Sequence, residues 1–269
     1  MVKNKPVYAF EEADSKNRML LGGKGAGLSE MTRLRLPVPP GFTITTEVCN
    51  NYYDNGKKLP KDVMPSVMKN IAKMEKKTGK KWNSTKNPLL VSVRSGAAIS
   101  MPGMMDTILN LGLNEKTVEG FAQQTKNPRF SWDSYRRFIQ LFGKVVFGVN
   151  DEKFDHVLDS AKNKQGVTDD SKLNVESLKK IVSEYKKICE THTKRKFPDT
   201  PNEQLGLAIE AVFRSWMGER AVVYREKNGI TKDIANGTAV NVVTMVFGNM
   251  GDDSATGVVF TRNGHNGKR

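Results

Sequence analysis

The sequence predicts a mixed α/β (α+β) protein in which a block of helices is inserted between two strand-containing portions. Short apolar or alternating runs, typical of strands, occur before residue 114 and after residue 237. Between about 115 and 217, apolar residues instead recur with the period of a helix. We therefore predict an α/β unit at 1–114 that is joined in space by 200–244, an inserted helical unit at 115–199, and the start of another unit at 245–269.

Composition excludes some classes of protein. No run of about 18 apolar residues occurs, so we expect no membrane-spanning segment. The first residues resemble neither a hydrophobic signal sequence nor an amphipathic leader, and Cys49 and Cys189 are isolated from each other. Both features predict a reducing, cytoplasmic location, with a plastid or a glycosome as the alternative.

The chain is basic, with 43 Lys and Arg against 29 Asp and Glu and a net charge of +14. Such a charge suits RNA, an anionic surface or small anions. Nine lysines lie between Lys57 and Lys81, with Trp82 as the neighbouring aromatic residue. Nucleic-acid interfaces usually interleave Arg and aromatic residues, so we interpret this face as solvated and expect no nucleic-acid partner.

The first portion begins with a predicted strand at 6–12. A glycine-rich segment at 20–27 follows and runs into apolar residues at helical spacing over 28–34. Glycines before a helix start let backbone amides approach an anion, and Lys24 would reach phosphate oxygens from there. The Walker A spacing is absent, so a solvated Lys24 is the alternative interpretation.

The next elements alternate between strand and helix. A rigid proline-rich turn at 37–41 precedes an alternating strand at 42–46. A short helix is predicted at 47–54. A longer helix at about 61–78 carries one apolar stripe and turns its lysines outward.

The stretch 89–114 combines strand and phosphate-site features. Leu89 to Val93 predicts a buried strand, which we expect to end at Arg94-Ser95-Gly96 before a loop of small residues and renewed order at 106–109. An Arg at the end of a strand, followed by bare amides, suits phosphate, and a plain surface loop is the alternative. Asp106 could orient Lys24, Arg94 or a metal-bound water, or cap the following segment.

Helices dominate the inserted unit. Ser131 is predicted to cap a helix that extends to Val149, and further helices are expected around 154–161, 178–188 and 205–216.

The chain returns to strand character near its end. A long apolar strand is predicted at 239–247, followed by a hairpin turn at 251–253 and a return strand at 256–261. No Ser/His/Asp or Cys/His set and no zinc spacing is visible in the sequence. The residues themselves therefore indicate no catalytic set and no zinc site in this chain.

Several ordered blocks together resemble the N-terminal nucleotide-binding region of the pyruvate, phosphate dikinase family, which belongs to the phosphoenolpyruvate-utilising enzymes. The resemblance covers about 6–262. Its blocks are LLGGKGAGLSEM, PVPPGFTITTE, LLVSVRSGAAISMPGMMDTILNLGLN, NPRFSWDSYRRFIQLFG, AVFRSWMGERAVVYR and GTAVNVVTMVFGN. Phosphoenolpyruvate synthases share the GGK and VRS elements, whereas SMPGMMDTILNLG is similar to the dikinase form.

The resemblance implies an ATP-grasp-like body with an inserted helical subdomain and a kinase activity with paired acceptors. The family converts ATP, phosphate and pyruvate to AMP, pyrophosphate and phosphoenolpyruvate with Mg2+, through a phosphohistidine on another domain. Pyruvate and phosphate would be partners of the full-length enzyme, which is expected to be a homodimer.

The resemblance also implies which residues bind ATP. Lys24, Arg94 and Arg137 match cations that hold the ATP phosphates. Gly103, Met105, Asp106 and Thr107 match a loop that closes over the nucleotide. Thr244, Met245 and Val246 match the strand beside the adenine.

Departures from the family pattern limit this expectation. The catalytic histidine motif has no match here, and the family's magnesium ligands would fall beyond residue 269, so the second half of the ATP-grasp fold is expected to be truncated. We expect the polypeptide alone not to complete the reaction. The alternatives are a non-catalytic, dikinase-derived scaffold with a basic surface and, less favoured, an enzyme of the phosphoenolpyruvate synthase type.

Overall fold

The computed structural model describes residues 4–269 and contains one antiparallel sheet of five strands. The strands are β1 (Val7–Ala9), β2 (Gly41–Ile44), β3 (Val91–Ala97), β4 (Thr107–Leu111) and β5 (Thr238–Thr244). They lie in the order β1-β2-β5-β3-β4, so the last strand of the sequence occupies the centre of the sheet. The predicted α+β class is confirmed.

Helices cover the sheet and form the middle of the chain. They are α1 (Arg18–Arg33), α2 (Thr46–Asp54), α3 (Val63–Thr78), α4 (Glu115–Thr125), α5 (Pro128–Phe147), α6 (Asp151–Gln165), α7 (Val175–Thr193), α8 (Pro201–Ser215) and α9 (Glu219–Lys227). The predicted helices at 47–54 and 61–78 are therefore confirmed. Among the described residues, no helix combines the length and the apolar character needed to cross a membrane.

The two faces of the sheet have different neighbours because strand side chains alternate between faces. On one face, Val240 and Val242 of β5 join the large apolar core. This core also contains the buried stripe of α3 and side chains of α5, α7 and α8, so it is continuous from the sheet into the helical segment. On the other face, Asn241 lies under α1. The division of the chain into the units 1–114, 115–199 and 245–269 stays a prediction.

Glycine residues let α1 approach the sheet at backbone distance. Gly22 has φ 69° and ψ 165°, which breaks the helix, and a Cβ atom there would lie 1.7 Å from the carbonyl oxygen of Gly96. A Cβ atom at Gly25 would lie 2.8 Å from Oγ1 of Thr43. No other residue type permits both the Gly22 conformation and this approach.

Several predicted boundaries were wrong. The first strand ends at Ala9 and continues as a 3-10 helix at Phe10–Glu12. Helix α5 is capped by Asn127, whose side chain accepts a hydrogen bond from the amide of Phe130, and Ser131 lies inside the helix. The strand at 89–93 does not end at Arg94, because Ser95 and Gly96 still pair with β5.

The predicted return strand at 256–261 is also wrong, since no strand follows Thr244 in the part of the chain that the structure describes. A hairpin on β5 would need a free edge. Both edges of β5 are already paired, one with β2 and the other with β3. The apolar residues at 258–260 are consequently exposed.

One charged cluster is buried inside the helical segment. The Arg136 side chain is 2% exposed and donates from Nε to Oδ1 of Asp133 at 2.8 Å. Burial acts to raise the pKa of Asp133, but Arg136 and Arg137 outweigh it and hold that pKa below its ordinary value of 3.8. The pair is costly to break because either partner alone would be a buried, uncompensated charge.

The glycine contact predicts opposite effects of the same substitution at two positions of α1. Gly22→Ala should lower the free energy of unfolding by about 3 kcal/mol or more, because it adds both backbone strain and overlap. Gly27→Ala meets no atom within 4 Å and should raise that free energy by about 0.5–1 kcal/mol. Urea unfolding followed by circular dichroism measures both. Equal effects of the two substitutions would contradict the contact.

The Asp133 pair predicts a pH-dependent stability. Asp133→Ala should lower the free energy of unfolding by about 3–5 kcal/mol at neutral pH. A depressed carboxylate pKa stabilises the fold above pH 3.8, and this contribution disappears as pH falls through the lower, folded pKa. Below about pH 4 the wild-type stability should therefore fall more steeply than that of the variant. Asp159→Ala, which removes a surface carboxylate paired with Lys162, should change stability by less than about 1 kcal/mol.

Candidate functional site

A cavity of about 540 Å³ lies where α1 meets β3 and the loop that joins β3 to β4. Helix α1 contributes Arg18, Gly23 and Lys24 to its wall. The remaining wall is formed by 95–103 together with Met105 and Thr107. The cavity therefore contains four of the residues that the sequence predicted for the site: Lys24, Gly103, Met105 and Thr107.

Lys24 and Arg94 lie beside each other on the α1 face of the sheet. Lys24 Cβ is 3.3 Å from the position that a Cβ atom would take at Gly96, and Arg94 is two residues earlier on the same face of β3. Burial lowers the pKa of Lys24, and the charge of Arg94 lowers it further. Two neighbouring cations, both with exposed side chains, make this position favourable for an anion.

The strand around Arg94 explains its orientation. Arg94 lies opposite Asn241 of β5 and Thr107 of β4, and it is the exposed residue of an otherwise buried strand. Asn241 is fully buried, and its Oδ1 accepts a hydrogen bond of 2.9 Å from Thr43. The guanidinium thus rises from a fixed, paired strand rather than from a loose turn.

The loop at 98–106 closes one side of the cavity. Its middle is held by Met101, which is 5% exposed and whose carbonyl accepts a hydrogen bond from the amide of Met104 at 3.2 Å. Gly103 has φ 74°, a conformation that side chains other than glycine rarely adopt. Asp106 ends the loop but does not line the cavity; its carboxylate lies 3.7 Å from Arg220 of α9 rather than beside Lys24 or Arg94.

Arg137, the third predicted cation, lies on α5; like Arg94, it is not among the residues that line this cavity. Its Nε donates to Oδ2 of Asp133 at 2.9 Å, and its side chain is 56% exposed. The structure brings Lys24 and Arg94 together, and the role of Arg137 at the same ligand stays a prediction.

The predicted adenine segment lies at the other end of β3. Thr244 is the register partner of Val91, and its amide and Oγ1 both donate to the carbonyl oxygen of Pro40. The amide of Met245 donates to Leu90 at 2.9 Å, and Val246 is exposed. Gly96 is five residue steps along β3 from Val91, which corresponds to about 17 Å along the sheet.

Sequence reasoning missed two basic residues of this region. Arg18 lines the cavity at the start of α1, where the Asn17 side chain accepts a hydrogen bond from the amide of Leu20. Asn is a preferred N-cap residue, so Asn17 is the sequence signal that predicts a helix start before the glycines. Arg220 contacts Asp106 across a long sequence separation, and no local pattern indicates that contact.

The comparisons with known proteins agree with this geometry. A sequence model of the family described as "Pyruvate phosphate dikinase, AMP/ATP-binding domain" matches residues 18–58 and 55–269. The chain belongs to this family. The predicted resemblance to pyruvate, phosphate dikinases is therefore confirmed.

Named relatives support the same assignment. The chain is 57% identical over 256 residues to the pyruvate, phosphate dikinase of Entamoeba histolytica, 51% over 264 residues to that of Clostridium symbiosum, and 51% over 263 residues to that of Giardia intestinalis. These matches cover 95–98% of the chain. The chain spans about 30% of the length of these curated relatives and corresponds to their ATP-binding part.

Metal-binding side chains are dispersed over residues 4–269. No group of three or more His, Cys, Asp or Glu side chains lies close enough together there to hold a metal ion. Asp106 is the acidic residue within the cavity loop, and its charge is opposed by Arg220.

Proposed function

We propose that this chain binds ATP, with the phosphates anchored by Lys24 and Arg94. The observation that carries the proposal is the adjacency of these two cations at a partly desolvated cavity. Among the charged groups of residues 4–269, Arg94 is the one that shifts the pKa of Lys24, and no carboxylate opposes it. A phosphate would remove the repulsion between the two cations and form charge-assisted hydrogen bonds with both.

The helix and the loop support an anion at the same place. Gly22 interrupts α1, so that Gly23 and Lys24 form the first turn of a new helical segment beside the cavity. The N-terminal end of a helix favours anions because its first amides and its dipole are positive. Gly103, Met105 and Thr107 of the loop would cover the phosphates from the other side.

The adenine would lie toward Thr244, Met245 and Val246. This segment and Gly96 mark opposite ends of β3, a separation that an extended nucleoside triphosphate can span. Arg94 lies on β3 between Gly96 and the adenine segment. It would then contact the phosphates that are nearer to the ribose. We further propose that Arg137 contacts the phosphates after a movement of α5 or of the nucleotide, since it does not line the present cavity.

We extend the proposal to the full-length enzyme by family membership. There the ATP bound by this part would be used, with phosphate and pyruvate, to form AMP, pyrophosphate and phosphoenolpyruvate through a phosphohistidine outside the matched part. Mg2+ would neutralise phosphate charge, and its ligands are not assigned to residues of this chain. An ATP-grasp-like arrangement, a homodimer of the full-length enzyme and a cytoplasmic location complete the proposal, the last suggested by two free, buried cysteines.

The cation pair predicts which substitutions weaken nucleotide binding. Lys24→Ala and Arg94→Ala should each weaken ATP binding to the 269-residue chain about 10- to 100-fold, because each removes a charged hydrogen-bond donor. Isothermal titration calorimetry with ATP, with and without Mg2+, measures the effect. Lys58→Ala makes the same charge change on an exposed residue and should leave the affinity unchanged. ATP affinity that survives both the Lys24 and the Arg94 substitution would refute the site.

The basic surface gives a second candidate, a scaffold that recruits an anionic macromolecule, which the net charge of +14 favours. Such association should weaken steeply with salt because many screened contacts contribute to it. Magnesium-dependent ATP binding that persists at high salt supports the first candidate. Salt-sensitive RNA binding without nucleotide binding would support the scaffold instead.

A further inference from the structure

The cavity loop is attached to the fold at several points with different strengths. Met101 anchors its middle in the apolar core, and the partly buried Met104 and Met105 pack against the same core. At its end, the carbonyl oxygen of Asp106 faces the amide of Ser95 at a long 3.4 Å. This end of the loop has few polar attachments, so the contact made by the Asp106 side chain contributes to its position.

The Asp106 carboxylate is held by charge rather than by hydrogen bonds. Across residues 4–269 its nearest ion-pair partner is Arg220, at 3.7 Å. Burial raises the pKa of Asp106, and Arg220 opposes this effect more strongly than Lys144 does. Lys144 already forms an ion pair with Asp151, which leaves Arg220 as the closer counter-charge.

Helix α9, which carries Arg220, is attached to the fold mainly through Ala221 and Arg225. Ala221 is fully buried. One turn further on, the Arg225 guanidinium stacks 3.8 Å above the Trp216 ring and donates to the Trp216 carbonyl oxygen at 2.7 Å. This stacking and hydrogen bond tie α9 to the turn that follows α8. Arg220 thus stands on a helix that is tied to the end of α8, opposite a loop that has few other polar attachments.

We propose that Arg220 is a positioning residue for the nucleotide site: its ion pair with Asp106 latches the 98–106 loop in the conformation that walls the cavity beside Lys24. Arg220 contacts the loop and not the cavity itself, so it acts through Asp106. Its effect on nucleotide affinity rests on the proposed function, whereas its effect on the loop does not.

The strength of the latch follows from its exposure. The Arg220 side chain is 68% exposed and that of Asp106 is 30% exposed, so solvent and salt screen the pair. Loss of such a pair changes an equilibrium by about two- to fivefold at low salt. A latch of this strength biases the loop toward the cavity while still letting it open.

The test compares three variants without nucleotide by hydrogen–deuterium exchange. Arg220→Ala should speed exchange of the amides at 98–106 about two- to fivefold and leave those of α1 unchanged. The charge-reversed pair Arg220→Asp with Asp106→Arg should restore slow exchange. Lys227→Ala, which removes a charge from the same helix, should have no effect on the loop.

Nucleotide titrations of the same variants complete the test. Arg220→Ala should weaken ATP binding about two- to fivefold at low salt, and the difference from wild type should vanish at about 1 M salt, where the screening length is short. Unchanged exchange at 98–106 in Arg220→Ala overturns the latch, whatever the affinity. If wild-type chain binds no nucleotide but the exchange difference is present, the proposed function fails and the latch is supported.

Discussion

Backbone contact between α1 and β3 is the constraint on which the rest of the cavity depends. Where Gly22 meets the carbonyl oxygen of Gly96, there is no room for a side chain on either element. If α1 carried larger residues here, their side chains would lie between the helix and the sheet and would increase the distance between them. Lys24 would then be several ångströms farther from Arg94, and the adjacency of the two cations would be lost.

This contact also has an electrostatic consequence. It partly removes the Lys24 ammonium from water and sets it beside a second cation, and both effects disfavour its charged form. The fold tolerates the arrangement because α1 gains buried contacts through Leu20, Leu21 and Ala26. An anion at the cavity reverses the unfavourable interaction, so ligand binding and folding stability should be linked at this site.

Local sequence patterns are sufficient to predict the elements that depend little on tertiary contacts. The apolar stripe of α3 and the glycine-rich segment around Lys24 were predictable because each expresses its own period or composition. The sequence predicts a strand end at Arg94 because its neighbours Ser95 and Gly96 are poor strand formers. Their partners Val240 and Ala239 lie far along the chain, and pairing with a central strand overrides that local preference. The prediction of a return strand at 256–261 is wrong for the opposite reason. The alternation of its residues suits a strand, but β5 has no free edge with which it could pair.

The two walls of the cavity therefore differ in kind. The wall made by α1 and β3 is fixed by the backbone contact between Gly22 and Gly96, so the adjacency of Lys24 and Arg94 is set by the fold. The loop wall is held by the buried Met101, by partial packing of Met104 and Met105, and by a screened ion pair between Asp106 and Arg220. A ligand that must enter, react and leave requires one fixed wall that selects the ligand and another wall that can move to let it pass. Sequence could indicate the first wall because glycines and cations are visible locally, whereas the second arises from a contact that exists only in the folded chain.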